Sequence, residues 1–221
     1  MVQRLAAFFM LTLAWAAATG GLWAGAAAAQ DRPVKIVALG DSLTAGYGLP
    51  ANQAFPARLS AALKAKGETA VVIANAGVSG DTASGGLARL DWSVPQGTDA
   101  VIVSLGSNDF LRGIDPKVTT EALDAIITRL QARNIKVLLC GMLAGKNMGA
   151  EYETAFNAIF PALAKKHGVL FYPFFLDGVV TERALNQADG IHPNAKGVDV
   201  IVNAILPKVE DLIAQARAAR S

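Results

Sequence analysis

A serine hydroxyl becomes a nucleophile only when a base takes its proton, and histidine suits that task near neutral pH. The chain has two histidines. His167 lies in Lys165-Lys166-His167-Gly168, where a basic residue suits a helix end, and reads as a solvated C-terminal cap. His192 is different, because Asp189 precedes it by three residues with Gly190 between them. At that spacing a tight turn brings the carboxylate to the imidazole, where it fixes the tautomer and stabilises the imidazolium. A serine to match stands in ALGDSLTAGYG (Ala38 to Gly48), where Ser42 follows an apolar run. Acyl transfer also requires donors aimed at an oxyanion. The candidates are the Ser42 backbone N–H, Gly77 and the Asn108 side-chain amide. Each of these residues has a plainer use as well. Ser42, Gly77 and Asn108 suit turns and caps, and Asp189 with His192 suits an Asx-type loop.

These residues can meet only if the elements between them bring them together. Short apolar runs at Lys35–Leu39, Thr69–Ala74, Ala100–Leu105, Lys136–Cys140 and Val169–Phe174 read as strands. Helical patterns over Ala54–Lys66, Thr82–Leu90, Thr119–Ala132, Glu151–Lys166 and Asn194–Ala214 separate or follow them, with Pro161 a kink point in the fourth. Strands alternating with helices imply parallel βαβ units and a single α/β/α domain. In such sheets ligands bind beyond the carboxyl ends of the strands. Ser42, the Asn75–Thr82 loop and Gly106-Ser107-Asn108-Asp109 fall just past the first three strands. Asp41 and Asp109, beside these segments, read as loop braces that accept from backbone amides.

Taken together, the four segments resemble the SGNH, or GDSL, hydrolase family. The GDSL block surrounds Ser42, a glycine block lies at Gly77, a G-x-N-D block spans Gly106–Asp109, and a D-x-x-H block spans Asp189–His192. The stretches NAGVSGDTASGGLARL and DGIHPNAKG are similar to the bacterial periplasmic subgroup of thioesterase I, lysophospholipase L1 and arylesterases. The resemblance implies a flavodoxin-like three-layer sandwich with a five-stranded parallel sheet in the order 2-1-3-4-5. It implies Ser42 as nucleophile, His192 as base and Asp189 as the acid that orients it, with Ser42, Gly77 and Asn108 forming the oxyanion hole. Ser107 stands where the subgroup often has a second glycine, which alters the local turn. The implied activity is hydrolysis of carboxylic esters or thioesters: aryl or short-to-medium acyl esters, acyl-CoA or lysophospholipid. A carbohydrate or peptidoglycan O-acetyl esterase is the alternative enzyme, and a periplasmic acyl-binding protein the non-enzymatic one, since fold does not dictate function. The segment Leu143–Tyr152 is expected to border the pocket, with Leu143 and Met148 as substrate contacts.

The remaining sequence sets the compartment and excludes other chemistry. Arg4 is followed by an uncharged run from Leu5 to Ala29 that ends in small residues, the pattern of a secretory signal. The expectation is a cleaved segment over 1–29, a hydrolase domain over 30–221, and a periplasmic or secreted protein without stable membrane insertion. An uncleaved anchor is the alternative, because 25 uncharged residues can just span a bilayer. Removing this segment, whose one basic residue is Arg4, leaves the charges almost level (20 basic and 18 acidic in the full chain). No basic stripe marks a nucleic-acid surface. Cys140 is the single cysteine, so no internal disulfide forms, and its apolar run makes it a buried small hydrophobe. No Cys/His cluster, HExxH pattern or nucleotide-binding glycine motif is present, so no metal or cofactor is expected. The protein is expected to act on a small-molecule substrate as a monomer.

Overall fold

The structure, a computed structural model, describes residues 32–220. The expected signal segment lies outside the described residues. Five strands, β1 (Val34–Gly40), β2 (Val71–Gly77), β3 (Ala100–Ser104), β4 (Lys136–Cys140) and β5 (Leu170–Tyr172), form one parallel sheet. Their order is β2-β1-β3-β4-β5, as the resemblance implied. All five residues of β3 are buried, as a central strand covered on both faces requires.

The helices are α1 (Ser42–Ala45), α2 (Phe55–Ala65), α3 (Ala83–Ala88), α4 (Leu90–Ser93), α5 (Ser107–Leu111), α6 (Pro116–Ala132), α7 (Ala150–His167) and α8 (Ala195–Ala218). α2 packs against α8, while α6 packs against both α3 and α7, giving a helical layer on each side of the sheet. The periodic residues point inward: Leu123, Ile126, Ile127 and Leu130 of α6 are fully buried, as are Ile205, Val209 and Leu212 of α8. Burying each such side chain contributes roughly 1.5–3 kcal/mol.

Several boundaries differ from the sequence reading. β2 runs on to Gly77, because its pairing with β1 continues through Gly40↔Gly77 into the glycine-rich segment. The helix expected over 82–90 is two short helices meeting at Arg89. α7 continues unbroken through Pro161, and β5 is only three residues long. His167 is no solvated cap. Its side chain is 10% exposed, and Nε2 meets an Asp124 carboxylate oxygen of α6 at 2.6 Å while Nδ1 meets Gln131 Oε1 at 3.2 Å. It therefore joins α6 to α7. Cys140 is buried, as its apolar run implied.

The two ends of the described chain are clasped at the amino edge of the sheet. Asp99, 7% exposed at its side chain, accepts from Nη1 and Nη2 of Arg32 at 2.9 and 2.6 Å. It also accepts from the Lys35 N–H at 2.8 Å and from Arg220. The opposite, carboxyl edge is where the register gathers the polar loops. Gly40 pairs with Gly77 on one side and Ser104 on the other, so the loops after β1, β2 and β3 emerge side by side.

Candidate active site

β1 delivers Ser42 into a turn that α1 caps. Asp41 is the N-cap and its Oδ1 accepts from the Leu43 N–H at 3.0 Å. Gly40 and Gly77 permit the close fit of α1 on the strand ends. A Cβ at Gly40 would lie 2.1 Å from Thr44 Oγ1, and one at Gly77 would lie 2.2 Å from the Ala45 nitrogen. Ser42 itself is 9% exposed.

The histidine arrives from the far end of the chain. His192 Nε2 lies 2.9 Å from Ser42 Oγ, across 150 residues. Its Nδ1 lies 2.7 Å from Asp189 Oδ2. Asp189 Oδ1 accepts from the Ile191 and His192 N–H groups at 2.9 and 3.0 Å, so the D-x-x-H turn closes on its own carboxylate. The His192 and Ile191 amides, followed by the imidazole, hold the Asp189 carboxyl down at about 2. An ionised Asp189 takes the Nδ1 proton as its hydrogen-bond donor, which leaves Nε2 to accept from the Ser42 hydroxyl. The Tyr47 ring stands 4.6 Å, centroid to centroid, from the imidazole. Hydroxyl, imidazole and carboxylate thus form a continuous series able to move a proton away from an attacking oxygen.

Of the three expected oxyanion donors, two keep an uncommitted hydrogen among the described residues and one is otherwise engaged. The Ser42 N–H begins α1 and has no partner among the described residues. The Asn108 amide donates one hydrogen to the Asp81 carbonyl at 2.9 Å, which fixes its orientation and leaves its second hydrogen. The Gly77 N–H instead donates to Asn75 Oδ1 at 2.9 Å, and the smallness of this glycine serves its packing against Ala45. Three residues on, Gly80 occupies φ +85° in a turn closed by the Asp81 N–H on the Val78 carbonyl at 3.1 Å. The Gly80 N–H has no partner among the described residues, and its carbonyl accepts from Arg112 at 2.6 Å.

Three supports escaped the sequence reading, because each depends on a partner distant in the chain. Ser107, noted there only as a departure from glycine, donates its hydroxyl to Asp41 Oδ2 and links α5 to the Ser42 turn. Arg89, 7% exposed, donates Nε to Asp81 at 2.5 Å, Nη1 to Ser93 at 2.9 Å and Nη2 to the Gly40 carbonyl at 2.9 Å. It couples the end of β1 to the loop that Asn108 also holds. Gln187 bonds to both the serine and the histidine loops. Asp109 accepts from the Ala83 N–H and the Thr119 hydroxyl, each at 2.9 Å, so both neighbouring aspartates brace loops as expected. Burial raises the Asp109 carboxyl, and these two bonds hold it partly back.

The Leu143–Tyr152 segment is held at both ends: the Ala144 N–H donates to Asn157 and the Tyr152 hydroxyl to the Ile114 carbonyl, each at 2.8 Å. Leu143 is exposed, and Met148 lies against Gly113, just past α5. A cleft of about 400 Å³ adjoins the histidine loop, lined by Thr181, Arg183, Asn186, Gln187, Ala188 and Gly190. Among the described residues no helix is long and apolar enough to cross a membrane.

Comparison with known proteins matches residues 38–200 to the GDSL-like Lipase/Acylhydrolase family. An arylesterase of Vibrio mimicus is 40% identical over 167 residues, covering 75% of this chain and 83% of that protein. The Thioesterase 1/protease 1/lysophospholipase L1 of Escherichia coli K12 is 40% identical over 188 residues, covering 85% of this chain and 87% of its own. Among solved structures, AlinE4, an SGNH-hydrolase family esterase, is 42% identical with a TM-score of 0.69, covering 81% of this chain and 96% of its own. TesA is 34% identical with a TM-score of 0.76, covering 80% and 99%. The chain belongs to the GDSL-like lipase/acylhydrolase family and is an ester hydrolase of the SGNH type.

Proposed function

We propose that this chain is an exported serine esterase that cleaves carboxylic esters and thioesters through an acyl-enzyme on Ser42. The observation that carries this reading is the position of His192, 2.9 Å from Ser42 Oγ and 2.7 Å from Asp189. Ser42 Oγ attacks the acyl carbonyl as His192 Nε2 takes its proton, and Asp189 stabilises the imidazolium that forms. The Ser42 N–H and the free Asn108 hydrogen bind the developing oxyanion. The third donor moves from Gly77, whose N–H serves Asn75, to the Gly80 N–H in the turn that Asn108 holds. The imidazolium then returns its proton to the departing alcohol, phenol or thiol. Water, activated by the same base, releases the acid and restores Ser42.

The names of the relatives, an arylesterase and a thioesterase/lysophospholipase, support aryl and short-to-medium acyl esters as the substrate class. Leu143 and Met148 remain the proposed acyl contacts, and the leader pattern over 1–29 supports export. The chain from residue 30 onward is expected to hydrolyse p-nitrophenyl butyrate and to react with a fluorophosphonate probe. Ser42→Ala is expected to lower kcat at least about a thousandfold with its circular dichroism unchanged, as deletion of an activated nucleophile does. Retention of wild-type turnover by Ser42→Ala would show that the nucleophile lies elsewhere.

A further inference from the structure

The loop carrying Asp189 and His192 is half exposed, yet it must hold an imidazole within a few tenths of an ångström of a serine on another loop. Its base is well built. Asn186 donates to the Val179 and Glu182 carbonyls at 2.7 and 2.9 Å, and Asn194 donates to the Ala184 and Asn186 carbonyls at 2.9 and 3.2 Å. The Gln187 N–H donates to the His192 carbonyl at 2.8 Å, closing the loop across its neck. None of these bonds reaches the serine side.

The Gln187 side chain does. Its Nε2 donates one hydrogen to the Tyr47 carbonyl at 2.7 Å and the other to the Pro193 carbonyl at 3.0 Å. Tyr47 lies just past α1 on the serine loop, and Pro193 follows His192. Among the described residues this is the one hydrogen bond between the two loops apart from Ser42–His192 itself. Gly48 makes room for it: at φ +73° it has no side chain, and a Cβ there would lie 2.2 Å from Gln187 Oε1. The Tyr47 ring, carried by the same tethered residue, stands against the imidazole.

We infer that Gln187 is a positioning residue: its amide, bridging the Tyr47 and Pro193 carbonyls, locks the histidine loop onto the serine loop so that His192 stays aligned with Ser42 Oγ. This rests on the Ser-His-Asp reading above. The Gln187 amide bonds two backbone carbonyls and neither the Ser42 hydroxyl nor the His192 imidazole, so its loss is expected to let the base drift. A misplacement of about 1 Å at a reacting pair costs on the order of a hundredfold in rate.

Gln187→Met keeps the side-chain length and removes both donors, and Gln187→Glu keeps the shape with the same loss. With p-nitrophenyl butyrate both are expected to lower kcat about ten- to a hundredfold at unchanged KM, with the urea midpoint close to wild type. Gly48→Ala displaces the amide from the opposite loop and is expected to lower kcat likewise. Combined with Gln187→Met it should add little, because both act through one contact. Wild-type kcat in the Gln187 variants overturns the inference, as does a loss confined to KM, a loss that tracks the unfolded fraction, or full additivity of the pair. Ser42→Ala measured in parallel separates the two claims. If it retains turnover the nucleophile reading falls, whereas an inactive Ser42→Ala beside a fully active Gln187→Met refutes the tether alone.

Discussion

Asp41 presents a test in which a charge beside Ser42 is expected to cost stability. It is completely buried, and burial pushes its carboxyl up to about 6, against the opposing pull of the Ser107 hydroxyl, the Leu43 N–H and the nearby imidazole. The sign follows from comparing folded and unfolded forms. A free aspartate titrates at 3.8 and the folded one at about 6, so the protonated group favours the fold fully below pH 3.8. That advantage disappears as the pH rises through 6. At about 1.36 kcal/mol per pH unit the loss amounts to about 3 kcal/mol. Asp41→Asn cannot ionise, yet its Oδ1 still accepts from Leu43 and its amide can donate to Ser107 Oγ. The value of about 6 already includes the carboxylate's stronger hold on these donors, so the whole loss applies. The expectation is about 3 kcal/mol of added stability at pH 8, or about 6–12 °C in Tm for a chain of this size. Urea unfolding of wild type and Asp41→Asn at pH 8 and pH 4 measures it, with equal m-values required for the comparison. The variant should be more stable at pH 8 and indistinguishable at pH 4. A variant less stable at pH 8, or a difference that ignores pH, would refute the reasoning.

Two further substitutions probe the supports around the sheet. Arg89→Met removes the donors to Asp81, Ser93 and the Gly40 carbonyl and leaves the Asp81 charge without its partner. It is expected to cost about 3–5 kcal/mol in urea unfolding and to lower activity, since it frees both the end of β1 and the turn at Gly80. A cost under about 1 kcal/mol would mean that the guanidinium is dispensable. At the amino edge, desolvation raises the Asp99 carboxyl, but Arg32, Arg220 and the Lys35 N–H outweigh it and hold the group at about 2. Its stabilisation, about 2 kcal/mol, is therefore full above pH 3.8 and is lost as the pH falls towards 2. Asp99→Asn should be less stable than wild type at pH 7, and acid titration of unfolding should show the gap closing between pH 4 and 2.

What could be read along the chain was whatever local chemistry encodes. Alternating apolar runs and amphipathic stretches specified a parallel α/β sheet, since the pattern of burial is written in residue spacing. The D-x-x-H turn was equally legible, because Asp189 and His192 meet within a single loop. Asp41 and Asp109 were recognisable as braces from their place at turns. The tertiary structure decided the rest. Only the register Gly40↔Gly77 and Gly40↔Ser104 sets the three loops side by side, and only the folding of the loop before α8 brings His192 across 150 residues to Ser42. The same packing diverted the Gly77 N–H to Asn75, left the Gly80 N–H without a partner among the described residues and turned His167 from a helix cap into a link between α6 and α7. Ser107, Arg89 and Gln187 gained their importance through partners 66, 49 and 140 residues away. A hydrogen bond needs its two atoms within about 3 Å, and for groups so far apart in the chain only the packed sheet and its loops supply that proximity.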